Sequence, residues 1–250
     1  MHLDVVLVPC EFGGRSRLEP TAVVVDVIRA SSSIVTAFEH GCRTILPAES
    51  ADEARALKAE HPDALLCGER KGKRIEGFAL GNSPREFTHE AVAGKDLILA
   101  TSNGTRTLRA VSPGRRVAIG ALMNRAAVAA WLCDRAGDAF LICSGYEGIF
   151  SLEDAVCAGG VVEAAVARDS AMALGDGARA CRILWREFSG DLLRVLRESA
   201  WGRYIVAIGL GADLEICARP DVTDVVPTME GGRITLGEGR AGYPRGGVGG

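Results

Sequence analysis

The sequence predicts an α/β protein: a largely parallel or mixed sheet with helices on both faces, in three layers, and a more helical C-terminal portion. Three observations predict it. Short runs rich in Val, Ile and Leu alternate with amphipathic helical runs through the first 150 residues. The run Ala22–Val27 is apolar except for Asp26, as a strand buried on both faces requires. After Leu152 the pattern turns helical, with little strand between the helices. Strands spaced by helices imply a parallel sheet whose crossovers cover both faces.

The elements follow in order. His2–Val8 and Ala22–Val27 read as strands, and Ser32–His40 as a helix stopped by Gly41. Thr44–Leu46 is a short strand, Ala51–Glu60 a helix and Ala64–Cys67 a strand. Gly68–Gly81 is a charged loop or hairpin. Pro84–Val92 reads as helix, Asp96–Ala100 as strand, Asn103–Val111 as helix and Arg116–Ile119 as strand. Arg125–Asp134 is a helix before strand Ala139–Cys143. Leu152–Arg168, Ala178–Phe188 and Leu192–Glu198 are helical, and short strands return near Val225 and Ile234. The expected organisation is a sheet core over 1–150 carrying most motifs, a helical lobe over 151–240 packed on the same core, and a disordered glycine-rich tail over 241–250.

Bulk composition narrows the function classes. Of 250 residues, 48% are hydrophobic and 24% charged, enough for a sizeable core. A net charge of −3 supplies no field for nucleic acid or an anionic membrane surface. The eight cysteines include no Cys-x-x-Cys pair, and several sit in apolar segments, so reduced thiols are expected. The opening MHLDVVLVP lacks a secretory lead-in, and no apolar run reaches membrane-span length; a cytoplasmic protein is expected.

In an open α/β sheet, ligands bind beyond the carboxyl ends of the strands, and four segments place polar residues there. In VVVDVIRASSS, Asp26 ends a buried strand, where a carboxylate needs a partner or a cation. One reading makes Asp26 a magnesium ligand and Arg29 an oxyanion clamp. The other pairs Asp26 with Arg29 and leaves Ser31, Ser32 and Ser33 to cap the helix. A haloacid-dehalogenase-type aspartyl nucleophile is less attractive, because Ile28 stands where a second acid is needed. In ATSNGTRT, a small-residue turn opens a helix and offers backbone N–H groups, the donors of Thr101, Ser102, Asn103 and Thr105, and the charge of Arg106. The alternative is an ordinary cap by Ser102 or Asn103.

The third segment, CGERKGKRIEGFALGNSPRE, carries Glu69 after a strand, a hard oxygen ligand suited to magnesium. Its basic loop Arg70–Arg74 either receives an anion or is a solvated hairpin. Ser83 and Glu86 fit a capping box around Pro84, which leaves Asn82 unexplained. In SGYEGIFSLEDAVCAGG, Ser151 and Asp154 fit another capping box; otherwise Glu153 or Asp154 completes an acidic cluster with Asp26 and Glu69. Cys157 reads as packing. The histidines fit no catalytic pattern.

Together and in this order, VVVDVIRASSSIVTAF, LLCGERKGKRIEGFALGNSPRE, DLILATSNGTRTL, FSLEDAVCAGG and GLGADLEICARPDVTDVVP resemble the linear signatures of the 2-phosphosulfolactate phosphatases, the ComB-like proteins of coenzyme M biosynthesis. The resemblance covers the chain except the glycine tail. It implies an α/β fold and Mg2+-dependent hydrolysis of 2-phospho-3-sulfolactate to 3-sulfolactate and phosphate. Asp26, Glu69 and Asp154 are the expected metal ligands. Asp26, Asp154 and Arg29 are the expected catalytic residues, with Asp26 or Asp154 as base for a metal-bound water. Arg29, Ser31, Asn82, Ser102, Asn103, Gly104, Thr105 and Arg106 are expected to contact the substrate. Expected partners are a small anionic phosphorylated substrate and a second copy of the chain in a homodimer. The alternatives are a phosphatase of another small phosphorylated carboxylic acid and a non-catalytic anion-binding protein on the same fold.

Overall fold

The computed structural model of the chain describes residues 1–11, 21–113, 115–135 and 137–236. The tail expected over 241–250 lies outside the described residues. Among the described residues, eleven strands form one sheet. They are β1 (His2–Val6), β2 (Thr21–Val25), β3 (Thr44–Ala48), β4 (Leu65–Arg70), β5 (Lys73–Arg74), β6 (Asp96–Ala100), β7 (Arg116–Gly120), β8 (Ala139–Cys143), β9 (Ala173–Leu174), β10 (Thr228–Glu230) and β11 (Arg233–Thr235). The helices are α1 (Ala30–Glu39), α2 (Ala51–Glu60), α3 (His89–Val92), α4 (Gly104–Val111), α5 (Arg125–Cys133), α6 (Leu152–Arg168), α7 (Asp176–Phe188), α8 (Leu192–Glu198), α9 (Ala200–Ala207) and α10 (Ala212–Cys217).

The strand order is β5-β4-β6-β3-β11-β10-β7-β2-β8-β1-β9. Two parallel groups, β4-β6-β3 and β7-β2-β8-β1-β9, are joined by the antiparallel hairpin β10–β11. The sheet is therefore mixed, and the C-terminal hairpin sits in its middle. The strands expected near Val225 and Ile234 are this hairpin. Ile234 pairs with Ile45 on one side, and Met229 pairs with Val117 on the other.

All five residues of β2 are buried, so both faces of the sheet are covered there. Val23 and Val25 join one core with Leu3, Leu141 and apolar residues of α5 through α10. Ala22 and Val24 join the opposite core with Ile34 and Phe38 of α1, Leu108 of α4, and Leu97 and Leu99 of β6. This period-2 division is what a pleated strand buried on both faces dictates.

The second core spans both parallel groups, which a flat sheet would not allow. Between β2 and β6 lie five inter-strand steps, roughly 24 Å in a flat sheet. Yet a Cβ placed on Gly104, just after β6, would stand 2.8 Å from Asp26 Oδ2, just after β2. The sheet must curl around α1 and α4, and the carboxyl ends of its two halves converge.

Local details differ from the expectations in informative ways. Helix α1 begins at Ala30, two residues before the expected Ser32, because the Asp26 carboxylate receives the Ala30 N–H. Pro84–Val92 is not one helix. A 3-10 turn over Pro84–Glu86 gives way to α3, whose N-cap is Thr88. Helices α9 and α10 were not anticipated. All eight cysteines are free, and burial pushes the Cys42, Cys181 and Cys217 thiols up to about 12, as inert packing groups. Among the described residues, no helix is long and apolar enough to cross a membrane.

Helices α6 and α7 pack closely because Gly159 has no side chain: a Cβ there would lie 1.9 Å from the Cys181 carbonyl oxygen. At the edge of this contact, Glu163 accepts hydrogen bonds from Arg182 Nε at 2.6 Å and Arg186 Nε at 3.2 Å. These hydrogen bonds, Arg182's first, hold the Glu163 carboxyl down at about 2. Its folded value lies below its ordinary value of 4.5. The stabilisation is thus present above that pH and disappears as pH falls toward 2. The site is partly open to solvent, so the gain is about 1 kcal/mol. Acid unfolding followed by circular dichroism should show Glu163→Gln less stable than wild type at pH 7 and level with it near pH 2. A constant gap across that range would remove this ion pair from the acid limb.

Candidate active site

The site begins with Asp26, one residue beyond β2 and buried. Its Oδ1 accepts the Ala30 N–H at 3.1 Å, and its own N–H donates to Ser31 Oγ at 3.0 Å. The N-cap of α1 is Arg29, without a side-chain cap hydrogen bond; Asp26 meets the first helical N–H, and the serines do not cap the helix. Ser31 braces the strand end, Ser32 Oγ donates to the Val27 carbonyl at 2.8 Å, and Ser33 Oγ donates to the Asn82 carbonyl at 2.9 Å. Burial, aided by the negative charges of Glu69 and Glu153, raises the Asp26 carboxyl to about 7. The Ala30 N–H and the Arg29 charge oppose that rise.

Glu69 arrives from β4, on the far half of the sheet. The residue before it, Gly68, lies against the end of β6, where a Cβ would meet the Ala100 carbonyl oxygen at 2.1 Å. Glu69 Oε2 accepts the Gly72 N–H at 2.7 Å and Oε1 accepts the Ser102 N–H at 2.7 Å. One carboxylate thus ties the β4–β5 turn to the turn that opens α4. That second turn closes on itself: the Thr105 N–H donates to Thr101 Oγ1 at 3.1 Å, and Thr105 Oγ1 donates to the Thr101 carbonyl at 3.1 Å.

Arg29 is buried and reaches across to α10. Its Nη1 donates to Asp213 Oδ2 at 2.6 Å and its Nη2 to the Gly72 carbonyl at 2.6 Å. Ser83 Oγ donates to Asp213 Oδ1 at 2.6 Å. Beside Ser83, Asn82 is only 4% exposed, and its Oδ1 has no hydrogen-bond partner. A small cleft runs between these groups, lined by Asp26, Ile28, Arg29, Glu69, Asn82, Thr101, Asn103 and Trp201. Trp201 stacks between Tyr146 and Tyr204, with ring centroids 4.8 Å apart on each side. Tyr204 in turn donates to the Lys71 carbonyl at 3.1 Å.

Asp154 stands apart from the cleft wall. Its Oδ1 accepts the Val27 N–H at 2.8 Å and its Oδ2 the Gly145 N–H at 3.2 Å. Burial, then the nearby Asp26 and Glu153 charges, pushes its carboxyl well above the ordinary range. Ser151 caps α6 by accepting the Asp154 N–H at 3.3 Å, so half of the expected capping box is present while the acid serves the loops beneath the site. Glu153 is also buried and raised, chiefly by burial, and is hydrogen-bonded to Ser151 and Ser199. Among the described residues, no three His, Cys, Asp or Glu side chains converge on a metal position. The expected trio of Asp26, Glu69 and Asp154 does not assemble: Asp154 does not line the cleft, and its two oxygens accept the Val27 and Gly145 N–H groups. Asp26, Glu69 and Asn82, whose Oδ1 is buried without a partner, line the cleft instead. They form a set of hard oxygen donors that suits Mg2+.

A model of the 2-phosphosulpholactate phosphatase family matches residues 7–232. The chain belongs to this family. Relatives named probable 2-phosphosulfolactate phosphatase align along nearly their whole length. One from Clostridium acetobutylicum is 33% identical over 94% of this chain and all of its own. One from Thermotoga petrophila is 36% identical over 94% of this chain and 99% of its own, and one from Thermotoga maritima is 35% identical over the same shares. Family membership agrees with the resemblance seen in the sequence.

Of the phosphatase-family residues expected at the site, the fold brings Asp26, Arg29, Glu69, Asn82 and Asn103 to one cleft. Others are used differently. Ser31 and Thr105 are buried and spent on backbone contacts. The Ser102 N–H is taken by Glu69. Arg106 is exposed on α4 and does not line the cleft. Arg29 pairs with Asp213 and not with Asp26. Glu86 reaches the Gly81 N–H at 2.7 Å, so the box expected around Pro84 does not close on Ser83. Lys71, Lys73 and Arg74 are exposed, as in a solvated hairpin, and the loop enters the network through backbone groups of Lys71 and Gly72. Trp201 and Asp213 were missed. Trp201 gives no local signal; Asp213 shares the buried side of α10 with Leu214 and Cys217, an acid on an apolar face that could have been noticed.

Gly104 contributes space beside Asp26. A Cβ there would lie 2.6 Å from the Ala30 Cβ and 2.8 Å from Asp26 Oδ2. Gly104→Ala should displace the Asp26 carboxylate and lower turnover tenfold or more, while costing about 1–3 kcal/mol in stability by overpacking. Steady-state kinetics beside a thermal melt would check it; unchanged kcat with an unchanged melt would show that the helix accommodates the methyl.

Proposed function

We propose that this chain hydrolyses 2-phospho-3-sulfolactate to 3-sulfolactate and phosphate with the help of Mg2+. The observation that carries the reading is one small cleft lined by Asp26, Glu69, Asn82 and Arg29, with the buried Asn82 Oδ1 lacking a hydrogen-bond partner. Oxygen donors and a fixed cation in one small space match a phosphate monoester with its metal. The names of the family and of the relatives agree.

Glu69 and Asn82 Oδ1 would hold the ion, with substrate oxygens and water completing its shell. Its contribution would be Lewis-acid polarisation of the phosphoryl group. The rest is done by the chain. Arg29 has five N–H donors in a rigid fork, and its observed partners, Asp213 and Gly72, leave donors for an oxyanion. Asp26 Oδ1 is held by Ala30, whereas Oδ2 stands by the side-chain-free Gly104. The raised proton affinity of Asp26 suits it to take the proton of the attacking water. Trp201 walls the cleft on the side of the C-terminal helices and limits water there. Asp154 serves beneath the site as a brace. The free, buried thiols favour a reducing, cytoplasmic setting.

Phosphate release from 2-phospho-3-sulfolactate should require Mg2+ and stop with EDTA. Asp26→Asn should cut kcat by about 100-fold or more, within the range of general-base removal, and leave the melt intact. Glu69→Gln should raise the Mg2+ concentration for half-maximal rate at least tenfold. EDTA-resistant release would end the metal assignment. A folded, Mg2+-loaded protein that spares this substrate but hydrolyses another phosphorylated carboxylic acid would end the substrate assignment alone.

A further inference from the structure

We propose that Asp213 is the positioning residue of this site, and that α10 thereby holds both the oxyanion clamp and the cation ligand in register. The inference rests on the phosphatase reading for its kinetic readout, but not for its binding readout.

Asp213 lies in the C-terminal helices, far in sequence from every cleft residue it organises. It is 2% exposed. Its two oxygens are divided between two arms of the cleft: Oδ2 receives Arg29 Nη1 and Oδ1 receives Ser83 Oγ, each at 2.6 Å. On the first arm, Arg29 is further held by the Gly72 carbonyl, so two contacts fix the plane of the guanidinium. On the second arm, Ser83 adjoins Asn82, which lines the cleft, whose carbonyl is pinned by Ser33 Oγ at 2.9 Å and whose buried Oδ1 has no hydrogen-bond partner. Asp213 does not itself line the cleft.

Stability alone explains this arrangement poorly. A buried ion pair loses much of its attraction to desolvation, and well-packed apolar side chains of similar volume often do as well. What apolar side chains cannot do is hold a guanidinium at one angle. An anchored fork presents its remaining N–H donors to a tetrahedral anion without first losing rotamer freedom, which lowers the entropic cost of binding. The Ser83 contact applies the same restraint to the turn that carries Asn82.

Two variants separate the arms. Asp213→Asn retains shape and removes the charge that anchors Arg29. Ser83→Ala leaves the Arg29–Asp213 pair intact and releases only the Asn82 turn. Each is measured by thermal melt, by calorimetric titration with inorganic phosphate, and by kcat, KM and the half-saturating Mg2+ concentration. Asp213→Asn is expected to weaken phosphate binding and raise KM about tenfold or more, with a smaller change in kcat. Ser83→Ala is expected to raise the half-saturating Mg2+ threefold or more, with phosphate affinity kept within twofold of wild type. Folded variants with wild-type phosphate affinity, KM and Mg2+ requirement would overturn the proposal, as would a wild type that binds no phosphate. If Asp213→Asn does not fold, Ser83→Ala decides: a normal Mg2+ requirement overturns the positioning role. Wild type that binds phosphate but leaves 2-phospho-3-sulfolactate intact would refute the substrate reading. In that case, phosphate affinity of Asp213→Asn equal to wild type overturns the positioning role, and a tenfold loss supports it.

Discussion

The site depends on the curl of the sheet. Asp26 and Glu69 belong to strands in different parallel groups, with the β10–β11 hairpin between those groups. A flat sheet would hold their ends apart by several strand spacings. Convergence requires the sheet to bend round a filled interior, and α1 and α4 provide that filling, with Ile34, Phe38 and Leu108 in a core shared by both halves. The hairpin is short, three residues in each strand, and antiparallel to both neighbours. It closes two otherwise exposed parallel edges. Packing distant from the cleft thus sets the distances within it.

The curl brings carboxylates together under low solvent exposure, and the rest of the site answers that electrostatic problem. Asp26, Glu69, Glu153, Asp154 and Asp213 are all buried. Each finds partners, mostly backbone N–H groups at turns: Ala30 for Asp26, Gly72 and Ser102 for Glu69, Val27 and Gly145 for Asp154. Asp213 alone has an arginine. Where such partners fall short of offsetting burial and mutual repulsion, the carboxyl holds its proton more tightly, as Asp26 does. The acids that brace loops and the acids that face the cleft differ only in which backbone lies beside them.

Much of the candidate site was legible because strand ends in α/β sheets are where ligands bind, and a charged residue ending an apolar strand stands out. Asp26, Arg29, Glu69, Asn82 and Asn103 were found on those grounds together with the resemblance, and all line one cleft. Where the fold engages an expected donor otherwise, the cause is common. Hydroxyls and amides near a helix start were taken as ligand donors, but such groups are equally suited to their own backbone. Thr101 and Thr105 satisfy each other's turn, Ser31 holds Asp26, and Glu69 consumes the Ser102 N–H. Whether a donor is free depends on its neighbours in space, which spacing along the chain does not contain.

By itself the sequence determined the α/β class, most strand positions and the four polar strand ends, because these follow from local periodicity and from the cost of burying charge. It also carried the family, because several unrelated motifs recur in one order. Tertiary structure alone decided the mixed strand order, the curl, the exclusion of Asp154 from the cleft, and the places of Trp201 and Asp213. The reason is physical: each of these depends on contacts between segments far apart in the chain. The pairing of Arg29 with Asp213 spans 184 residues, and no local pattern encodes which distant acid a buried guanidinium will meet.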